Sequence, residues 1–354
     1  MGLLLKVIKG GMSTTVQDFG RWGHQAMGMP VAGAMDPEAL AVANILAGNE
    51  PGEAALEVTL LGPTLEVDGE GALAVAGADL GFTLNGVSAP RWTSLAVKTG
   101  DVISFTGPGG KGCRAYLAVS GGIDVPVILG SRSTYTRAAI GGFEGRALKA
   151  GDTVSCGEPP ALWRRTIGLA CPEPLRPVRD PEAPIRAVPG PQDDAFTPEG
   201  LETLFGSEYT ITSQADRMGY RLEGPKVSHK AGADIVSDAI PLGAVQVPGH
   251  GQPIVMLADR QTTGGYTKAA VVLTVDLAVL AQRLPGERLR FARSTPEEGA
   301  RLLAERAQRL ASLARLRAEY RSRPERPLGG ARATSGAYSL RIDGKTAVIE
   351  WQEL

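Results

Sequence analysis

The sequence has few aromatic residues and no excess of charge of either sign. Aromatic residues make up only 5% of the chain, and 37 Lys and Arg are balanced by 38 Asp and Glu, for a formal net charge of -1. Proteins that bind nucleic acid use aromatic stacking platforms and strongly basic surfaces, so both features argue against nucleic acid as a partner. The same charge balance argues against recruitment to an anionic membrane surface.

Cysteine is also scarce, and long apolar runs are missing. Cys113, Cys156 and Cys171 form no C-x-x-C pair, so we expect free thiols rather than a disulfide framework or a zinc site. No apolar run reaches the roughly 18 residues of a membrane span. The apolar run before Lys6 is too short for a signal peptide. These features predict a cytoplasmic protein without a membrane segment.

What the chain does contain is abundant glycine and proline between short apolar runs. The 46 Gly and 25 Pro residues separate stretches such as "LLLKVIKGG", "ALEVTLLGPTLEV", "RAYLAVSGG" and "YTKAAVVLTVDLA". Short strands at about 8–12-residue spacing are typical of β-barrels or sandwiches. A length of 354 residues exceeds that of a typical single core, so two β-rich domains are predicted.

Helices are predicted at 36–48, at 198–206 and, with a Thr-Pro start, at 295–321. The last has an apolar stripe (Leu303, Ala307, Leu310, Ala314) that favours docking on the chain's own barrel. The predicted organisation is an N-terminal β-domain (1–165), a linker (166–187), a second β-domain (188–294), the C-terminal helix (295–321), a second linker (322–336) and a β-hairpin (337–354) around the Asp343–Gly344 turn.

Several common catalytic motifs are absent. The sequence has no G-x-x-x-x-G-K-[ST], no G-x-S-x-G and no H-E-x-x-H, and its three histidines, His24, His229 and His250, are scattered. The glycine-rich stretch 107–112 does not have the spacing of a phosphate-binding loop, and we interpret it as a hairpin tip. Neither a metal ligand set nor a hydrolytic triad is predicted for this chain alone.

Polar residues beside glycines are the remaining candidates for a site. Asp36 begins a helix, where it is either a simple N-cap or part of an oxygen-binding helix start. Asn44 lies on the inner face of that helix and is either a structural tie or a ligand contact. Arg132, next to Ser133, is either a clamp for a carboxylate or a surface ion-pair partner.

Two further clusters combine acids with hydrogen-bond donors beside glycines. In one, Asp216 precedes Arg217; in the other, "DRQTTGGY" at 259–266 begins with Asp259 and continues through Gln261 and Thr262 to Gly264 and Gly265. A carboxylate of this kind is able to orient or deprotonate a small amide nitrogen, although each cluster is also compatible with an ordinary turn. Four such loops in a β-barrel setting predict a pocket.

Taken together, these stretches resemble one family. "TTVQDFGRWGHQAMGMPVAGAMDPEALAVAN", "RAYLAVSGGIDVPVILGSRSTY", "SQADRMGYRLEG" and "PIVMLADRQTTGGYTKAAVV" are similar to the biotin-dependent carboxyltransferase / allophanate hydrolase subunit 2 family. The resemblance covers about residues 5–320 and is strongest to members that serve as the C subunit of bacterial ATP-dependent 5-oxoprolinase. It implies a mainly β fold with two cyclophilin-like β-barrel domains and an active surface between them.

The resemblance also implies partners and a reaction. Two other chains, the A subunit and the B subunit, would join this one in opening the cyclic amide of 5-oxoproline to glutamate; the B subunit is similar to KipI and to allophanate hydrolase subunit 1. The reaction consumes ATP, which would be bound with or by a partner. Asp259 matches the acidic position of the related urea carboxylase site. Gln261, Thr262 and the Gly264–Gly265 amides would contact substrate oxygens, and Asp36 and Asn44 would face them.

Two alternatives follow from the same resemblance. One is a biotin-dependent carboxyltransferase acting on urea or a related amide. Against it, the lysine of that site has no counterpart near "DLAVLAQ", where the nearest basic residue is Arg283, and no Met-Lys-Met biotinylation site occurs. Biotin is therefore not expected as a cofactor. The other alternative is a KipA-like regulator that antagonises a kinase inhibitor.

Overall fold

The fold is known from a computed structural model, which describes residues 2–322, 335–342 and 345–352. The chain forms two compact units, Met1–Arg323 and Pro324–Leu354. The larger unit is mainly β, and its described part has four α-helices, the last of which is a long helix at its C-terminal end. The predicted fold class is therefore confirmed. The predicted domain limits inside this unit stay a prediction.

The N-terminal half consists of two antiparallel sheets. One sheet has the strand order β11-β1-β4-β9-β6-β7 and the other β2-β3-β10-β5-β8. Their bounds are β1 (Leu4–Lys9), β2 (Ser13–Gln17), β3 (Ala55–Thr59), β4 (Thr64–Asp68), β5 (Gly71–Gly77), β6 (Phe82–Leu84), β7 (Val87–Ser88), β8 (Leu95–Val97), β9 (Val102–Phe105), β10 (Arg114–Val119) and β11 (Thr153–Ser155). Side chains from both sheets, such as Leu5 and Leu117, share one buried core.

Helix α1 (Pro37–Ala47) covers the outer face of β5 and β10. Asp36 caps it by accepting a hydrogen bond from the Ala39 amide (3.1 Å), and Gly48 ends it in the left-handed conformation. Alanines on the outer face of the two strands, including Ala74, Ala76 and Ala118, allow the helix to approach closely. Because β5 and β10 are buried on both faces, their sequences are almost continuously apolar.

The second half closes into a seven-stranded barrel with the order β12-β19-β16-β17-β14-β13-β20. The strands are β12 (Ile185–Pro189), β13 (Glu208–Ala215), β14 (Gly219–Glu223), β15 (Asp234–Ala239), β16 (Ala244–Gln246), β17 (Ile254–Met256), β18 (Thr263–Tyr266), β19 (Lys268–Val272) and β20 (Arg288–Arg293). Strands β12 and β20 run parallel and close the barrel. Strands β15 and β18 leave it as a separate two-stranded ribbon.

The other helices partly match the sequence predictions. Helices α2 (Pro198–Gly206) and α4 (Pro296–Arg321) confirm the predicted 198–206 and 295–321 helices. Helix α3 (Thr274–Ala281) lies where a strand was expected within "YTKAAVVLTVDLA". Residues 269–273 of that run are all apolar, so no alternation there indicates where the strand ends and the helix begins. Short 3₁₀ turns occupy Gln25–Met27, Thr136–Ala138, Trp163–Thr166, Glu173–Leu175 and Asp193–Ala195.

Helix α4 packs on α1 and α3. Leu313 is fully buried there, whereas Leu303, from the predicted stripe, is 37% exposed. The face of α4 that packs on the other helices therefore lies closer to the C-terminal end of α4 than the predicted stripe does. Arg309, from the predicted solvent face, instead donates to the buried carboxylate of Glu38 (2.7 Å). None of the helices in the described part of the chain is long and apolar enough to cross a bilayer.

One connecting segment differs from its predicted role, whereas the limits of the predicted linker stay a prediction. The glycine-rich stretch 107–112 is not a hairpin tip, because β9 pairs with β4 and β6 while β10 pairs with β3 and β5. It is a crossover between sheets. The predicted linker 166–187 contributes buried Leu169 and Cys171 to the core around α1, and β12 already begins at Ile185.

The smaller unit contains the two strands of the predicted C-terminal hairpin. Strand β21 (Ser335–Ile342) pairs antiparallel with β22 (Lys345–Gln352), so the predicted pairing is confirmed. The Asp343–Gly344 turn lies outside the described residues, as does the predicted linker from residue 323 to residue 334.

Candidate functional site

A buried network of charged side chains joins the two β-rich halves, and Glu57 on β3 is at its centre. The carboxylate of Glu57 is 1% exposed and accepts hydrogen bonds from the Tyr116 hydroxyl (2.7 Å) and the Met35 amide (2.9 Å). It also accepts a hydrogen bond from the guanidinium of Arg217, which comes from the second half of the chain. A buried carboxylate is tolerated because these donors replace the water it has lost.

Arg217 is the connection between the halves. Its guanidinium binds both oxygens of Asp259 (2.9 and 3.1 Å) and donates to the Gly33 carbonyl (2.6 Å) as well as to Glu57. Burial by itself lowers the pKa of Arg217, but the charges of Asp259 and Glu57 raise it above its ordinary range. Arg217 therefore stays charged and fixes the position of the Asp259 carboxylate.

Asp36 occupies a similar position at the start of α1. Arg179 binds both of its oxygens (2.7 and 3.0 Å), and the Gln282 amide donates to it (3.2 Å). Burial raises the pKa of Asp36, whereas Arg179, the Ala39 amide and Gln282 lower it, and the net pKa is below its ordinary value of 3.8. The predicted N-cap is confirmed, and every part of this carboxylate is already engaged by the chain itself.

The acid sensitivity of the fold follows from these carboxylates. Burial raises the pKa of Glu57, but Arg217, Arg114, the Met35 amide and the Tyr116 hydroxyl bring it below the ordinary value of 4.5. The unfolded chain then binds more protons than the folded chain at low pH. We expect the free energy of unfolding to be intact above pH 4.5 and to fall as the pH drops through the lowered folded-state pKa.

Urea denaturation at a series of pH values tests this expectation. The Glu57→Gln variant has no proton to gain at this position. Its free energy of unfolding, although lower at neutral pH, should therefore decline less steeply than that of the wild type between about pH 5 and pH 3. Parallel pH profiles for the two proteins would show that Glu57 does not contribute to acid unfolding.

Three cavities lie at or near the network, and Arg217 lines one of them. The Asp259 cavity, of about 430 Å³, is lined by Asp259, Arg217 and Arg114. The Gln246 cavity, of about 440 Å³, is lined by Gln246, Gln261 and Tyr266. The two cavities share five lining residues: Arg137, Ser213, Ala215, Asp216 and Met218. The Asp36 cavity, of about 340 Å³, also includes Arg179 and Gln282.

Part of the segment "DRQTTGGY" lines these cavities, although its first residue, Asp259, lies in a turn closed by a hydrogen bond from the Arg260 amide to the Leu257 carbonyl (3.2 Å). Asp259 lies at one end, in the Asp259 cavity, and Gln261 lines the Gln246 cavity. Thr262 lines a neighbouring cavity of about 350 Å³ and accepts a backbone hydrogen bond from Ile240 (3.0 Å). The segment continues into the ribbon strand β18, which holds Gly264 and Gly265.

Asp216 and Arg217 are adjacent in sequence but differ in environment. The Asp216 side chain is 56% exposed, pairs with Arg137 (3.4 Å) and accepts hydrogen bonds from the Met218 and Gly219 amides. Asp216 thus holds the loop between β13 and β14, on the edge that the two cavities share.

Three predicted site residues lie elsewhere. Asn44 donates to the Glu53 carbonyl (2.7 Å) and accepts from the Asn49 amide (2.9 Å), so the structure favours its interpretation as a structural tie. The Arg132 amide and the Ser133 hydroxyl donate to the two oxygens of Asp18. These bonds fix a loop of the N-terminal half, and none of the three residues lines the cavities described above.

Comparison with known proteins identifies the family. The model of the carboxyltransferase domain, subdomain A and B, matches residues 27–293. The chain belongs to this carboxyltransferase-domain family. It is 39% identical over 295 residues to the 5-oxoprolinase C subunit of Escherichia coli, covering 83% of this chain and 93% of the relative. It is 40% identical over 288 residues to that of Haemophilus influenzae, covering 81% of this chain and 90% of the relative.

Larger proteins contain the same carboxyltransferase-domain fold. The urea amidolyase of Lachancea kluyveri is 34% identical over 81% of this chain, but the match spans only 17% of that relative. The crystal structure of the Kluyveromyces lactis urea carboxylase superposes with a TM-score of 0.83 and 31% identity, covering 88% of this chain and 29% of that one. In those enzymes the matching region is one part of a much longer chain.

Several residues of the buried charged network were not predicted from the sequence. Gln282, at the end of α3, donates to the Arg114 carbonyl (3.0 Å) and accepts from the Arg114 amide (2.8 Å), while its Nε2 reaches Asp36. Glu57 sits between two core residues of a strand, a pattern that is typical of a solvent-facing side chain. Arg179 lies in the segment interpreted as a linker. No motif marks any of these positions.

Proposed function

We propose that this chain is the C subunit of a cytoplasmic, ATP-dependent 5-oxoprolinase. Together with the A and B subunits, it opens the lactam of 5-oxoproline to L-glutamate. The observation that carries the proposal is the match to two 5-oxoprolinase C subunits over at least 90% of their own length. Their naming as subunits implies partner chains. The presence of cavities at the junction of the two halves supports a small substrate.

The substrate needs help because a lactam is a poor electrophile. ATP would supply the activation by phosphorylating the lactam oxygen, which makes the ring carbon more electrophilic. Water would add to that carbon, cleavage of the ring C–N bond would release the nitrogen as an amine and leave an acyl phosphate, and hydrolysis of the acyl phosphate by a second water would give glutamate and phosphate. The contribution of this chain is to hold the ring. Asp259, fixed on both oxygens by Arg217, borders the Asp259 cavity and would help to orient the substrate amide.

The glycine-rich stretch 107–112 does not fit a nucleotide phosphate. The Gly109 amide is used internally, donating to the Asp79 carbonyl (2.9 Å). A side chain built at Gly109 would lie 3.3–3.6 Å from the Asp79 carboxyl group, so a negative charge faces the loop. Arg91 pairs with that carboxylate (3.3 Å), so the space beside the glycine is already occupied by an ion pair. We therefore place ATP binding with or on a partner chain.

A second candidate function is biotin-dependent carboxyl transfer to an amide. The observation that favours it is the match to the carboxyltransferase-domain model and to the fold of a urea carboxylase. This activity would require bicarbonate and carboxylated biotin, whereas lactam opening requires neither.

A glutamate-release assay separates the two candidates. The full-length chain would be combined with the A and B subunits of the same organism, and glutamate formed from 5-oxoproline would be measured with and without ATP. We expect release only when all three chains and ATP are present. No release under any of these conditions contradicts the proposal, and carboxylation of an amide that depends on biotin and bicarbonate supports the second candidate instead.

A further inference from the structure

Two glutamine side chains in the second half have polar atoms without hydrogen-bond partners. Nε2 of Gln246 and Oε1 of Gln261 are both buried and unpaired. Gln246 is only 2% exposed, so its amide has little contact with bulk solvent. An unpaired buried donor or acceptor is unfavourable, and most such groups in folded proteins do have partners. One unpaired donor and one unpaired acceptor near the same cavity call for a ligand that carries the complementary groups.

Both glutamines line the Gln246 cavity. Its other lining residues include Met256 and Ile254, which supply apolar wall, and Asp216, which also borders the Asp259 cavity. A volume of about 440 Å³ accommodates a five-membered ring with room for solvent.

The backbone around Gln246 leaves room for its amide. Gln246 ends strand β16, and its side chain lies beneath Gly264 of the ribbon strand β18. A Cβ atom at Gly264 would lie 3.1 Å from Gln246 Nε2 and 2.7 Å from Ile240 Cδ1. Any side chain at position 264 would therefore press on the glutamine amide or on Ile240. The absence of a side chain at Gly264 keeps the Gln246 amide free to turn.

We propose that the Gln246 cavity recognises a cyclic secondary amide through this donor–acceptor pair. Gln246 Nε2 donates to the amide carbonyl oxygen, and Gln261 Oε1 accepts from the amide N–H. A ring fixes its amide in the cis form, so the carbonyl oxygen and the N–H lie on the same edge and meet both glutamines. The inference rests on the proposed function, because it assigns the lactam of that substrate to a specific part of the cleft.

Binding of small lactams to the full-length chain alone, measured by calorimetry without ATP or partners, tests the proposal. The probe is 2-pyrrolidinone, which has the lactam but no carboxylate. We expect Gln246→Leu and Gly264→Ala each to weaken its binding about tenfold, the effect of losing one hydrogen bond. N-methyl-2-pyrrolidinone lacks the N–H and should bind the wild type about tenfold more weakly than 2-pyrrolidinone does.

Gly249→Ala is the matched control, since a Cβ at Gly249 meets only Ala233 at 3.9 Å, and it should bind 2-pyrrolidinone as the wild type does. Gln246→Leu should melt at or above the wild-type temperature, because the amide it removes has no partner. Equal binding by wild type and Gln246→Leu, or no binding at millimolar probe, overturns the proposal. If the cavity proposal fails but the complex still releases glutamate, the proposed function stands. If the chain binds lactams as expected but the complex releases no glutamate, only the cavity proposal stands.

Discussion

Replacing Arg217 with alanine is expected to lower the free energy of unfolding by about 3–5 kcal/mol. The guanidinium is the shared partner of Glu57 and Asp259, which are 1% and 4% exposed. Its removal takes away the guanidinium that binds Asp259, leaves Glu57 with only the more distant Arg114 (4.0 Å) and breaks the contact with the Gly33 carbonyl. Urea denaturation followed by circular dichroism gives the change directly.

Arg137→Ala is the control for that experiment. Arg137 is 57% exposed and pairs with the equally exposed Asp216 across 3.4 Å, so its loss should change the free energy of unfolding by less than about 0.5 kcal/mol. A loss of under about 1 kcal/mol for Arg217→Ala would mean that water reaches the junction and that the two halves do not depend on this ion pair.

Replacing Asp259 with asparagine is expected to lower kcat/KM for 5-oxoproline in the assembled complex by about 10²-fold or more. Asparagine keeps the size of the side chain but loses the negative charge that Arg217 holds in place and that is proposed to orient the substrate amide. The readout is glutamate release at a series of substrate concentrations. Because Glu57 still pairs with Arg217, the variant retains a buried partner for that guanidinium.

The matched control is Asp68→Asn on strand β4. The Asp68 carboxylate is 40% exposed and pairs with Lys6 on the neighbouring strand β1. It should leave kcat/KM unchanged. Melting curves and co-purification with the A and B subunits confirm that Asp259→Asn still folds and assembles. An Asp259→Asn complex with kcat/KM within about threefold of wild type would remove Asp259 from the proposed site.

Strand positions were predictable because the signals are local. Glycine and proline separate "LLLKVIKGG" from "RAYLAVSGG", and both runs are strands in the structure. The caps of α1 and α4 follow from Asp36–Pro37 and Thr295–Pro296 in the same way. The partition of β9 and β10 between two sheets was not predictable, because strand pairing depends on residues far apart in sequence.

The candidate site was also only partly predictable from the sequence. Asp259, Gln261 and Arg217 stand out as polar groups beside glycines, and the structure brings them to adjoining cavities. Asn44 has the same local signature, yet its bonds to Asn49 and Glu53 make it a structural tie. Local sequence does not distinguish a polar side chain that is satisfied by the chain from one that awaits a ligand.

The parallel pairing of β12 with β20 has a consequence for synthesis on the ribosome. Ile185 meets Phe291 at this seam, so the barrel cannot close until nearly all of its residues have been translated. Until then both β12 and β13 lack the neighbour that β20 provides, and their unpaired edges are open to other chains. A product truncated before Arg288 would keep these edges exposed, and we expect it to be degraded or to aggregate rather than to accumulate as a half-active fragment.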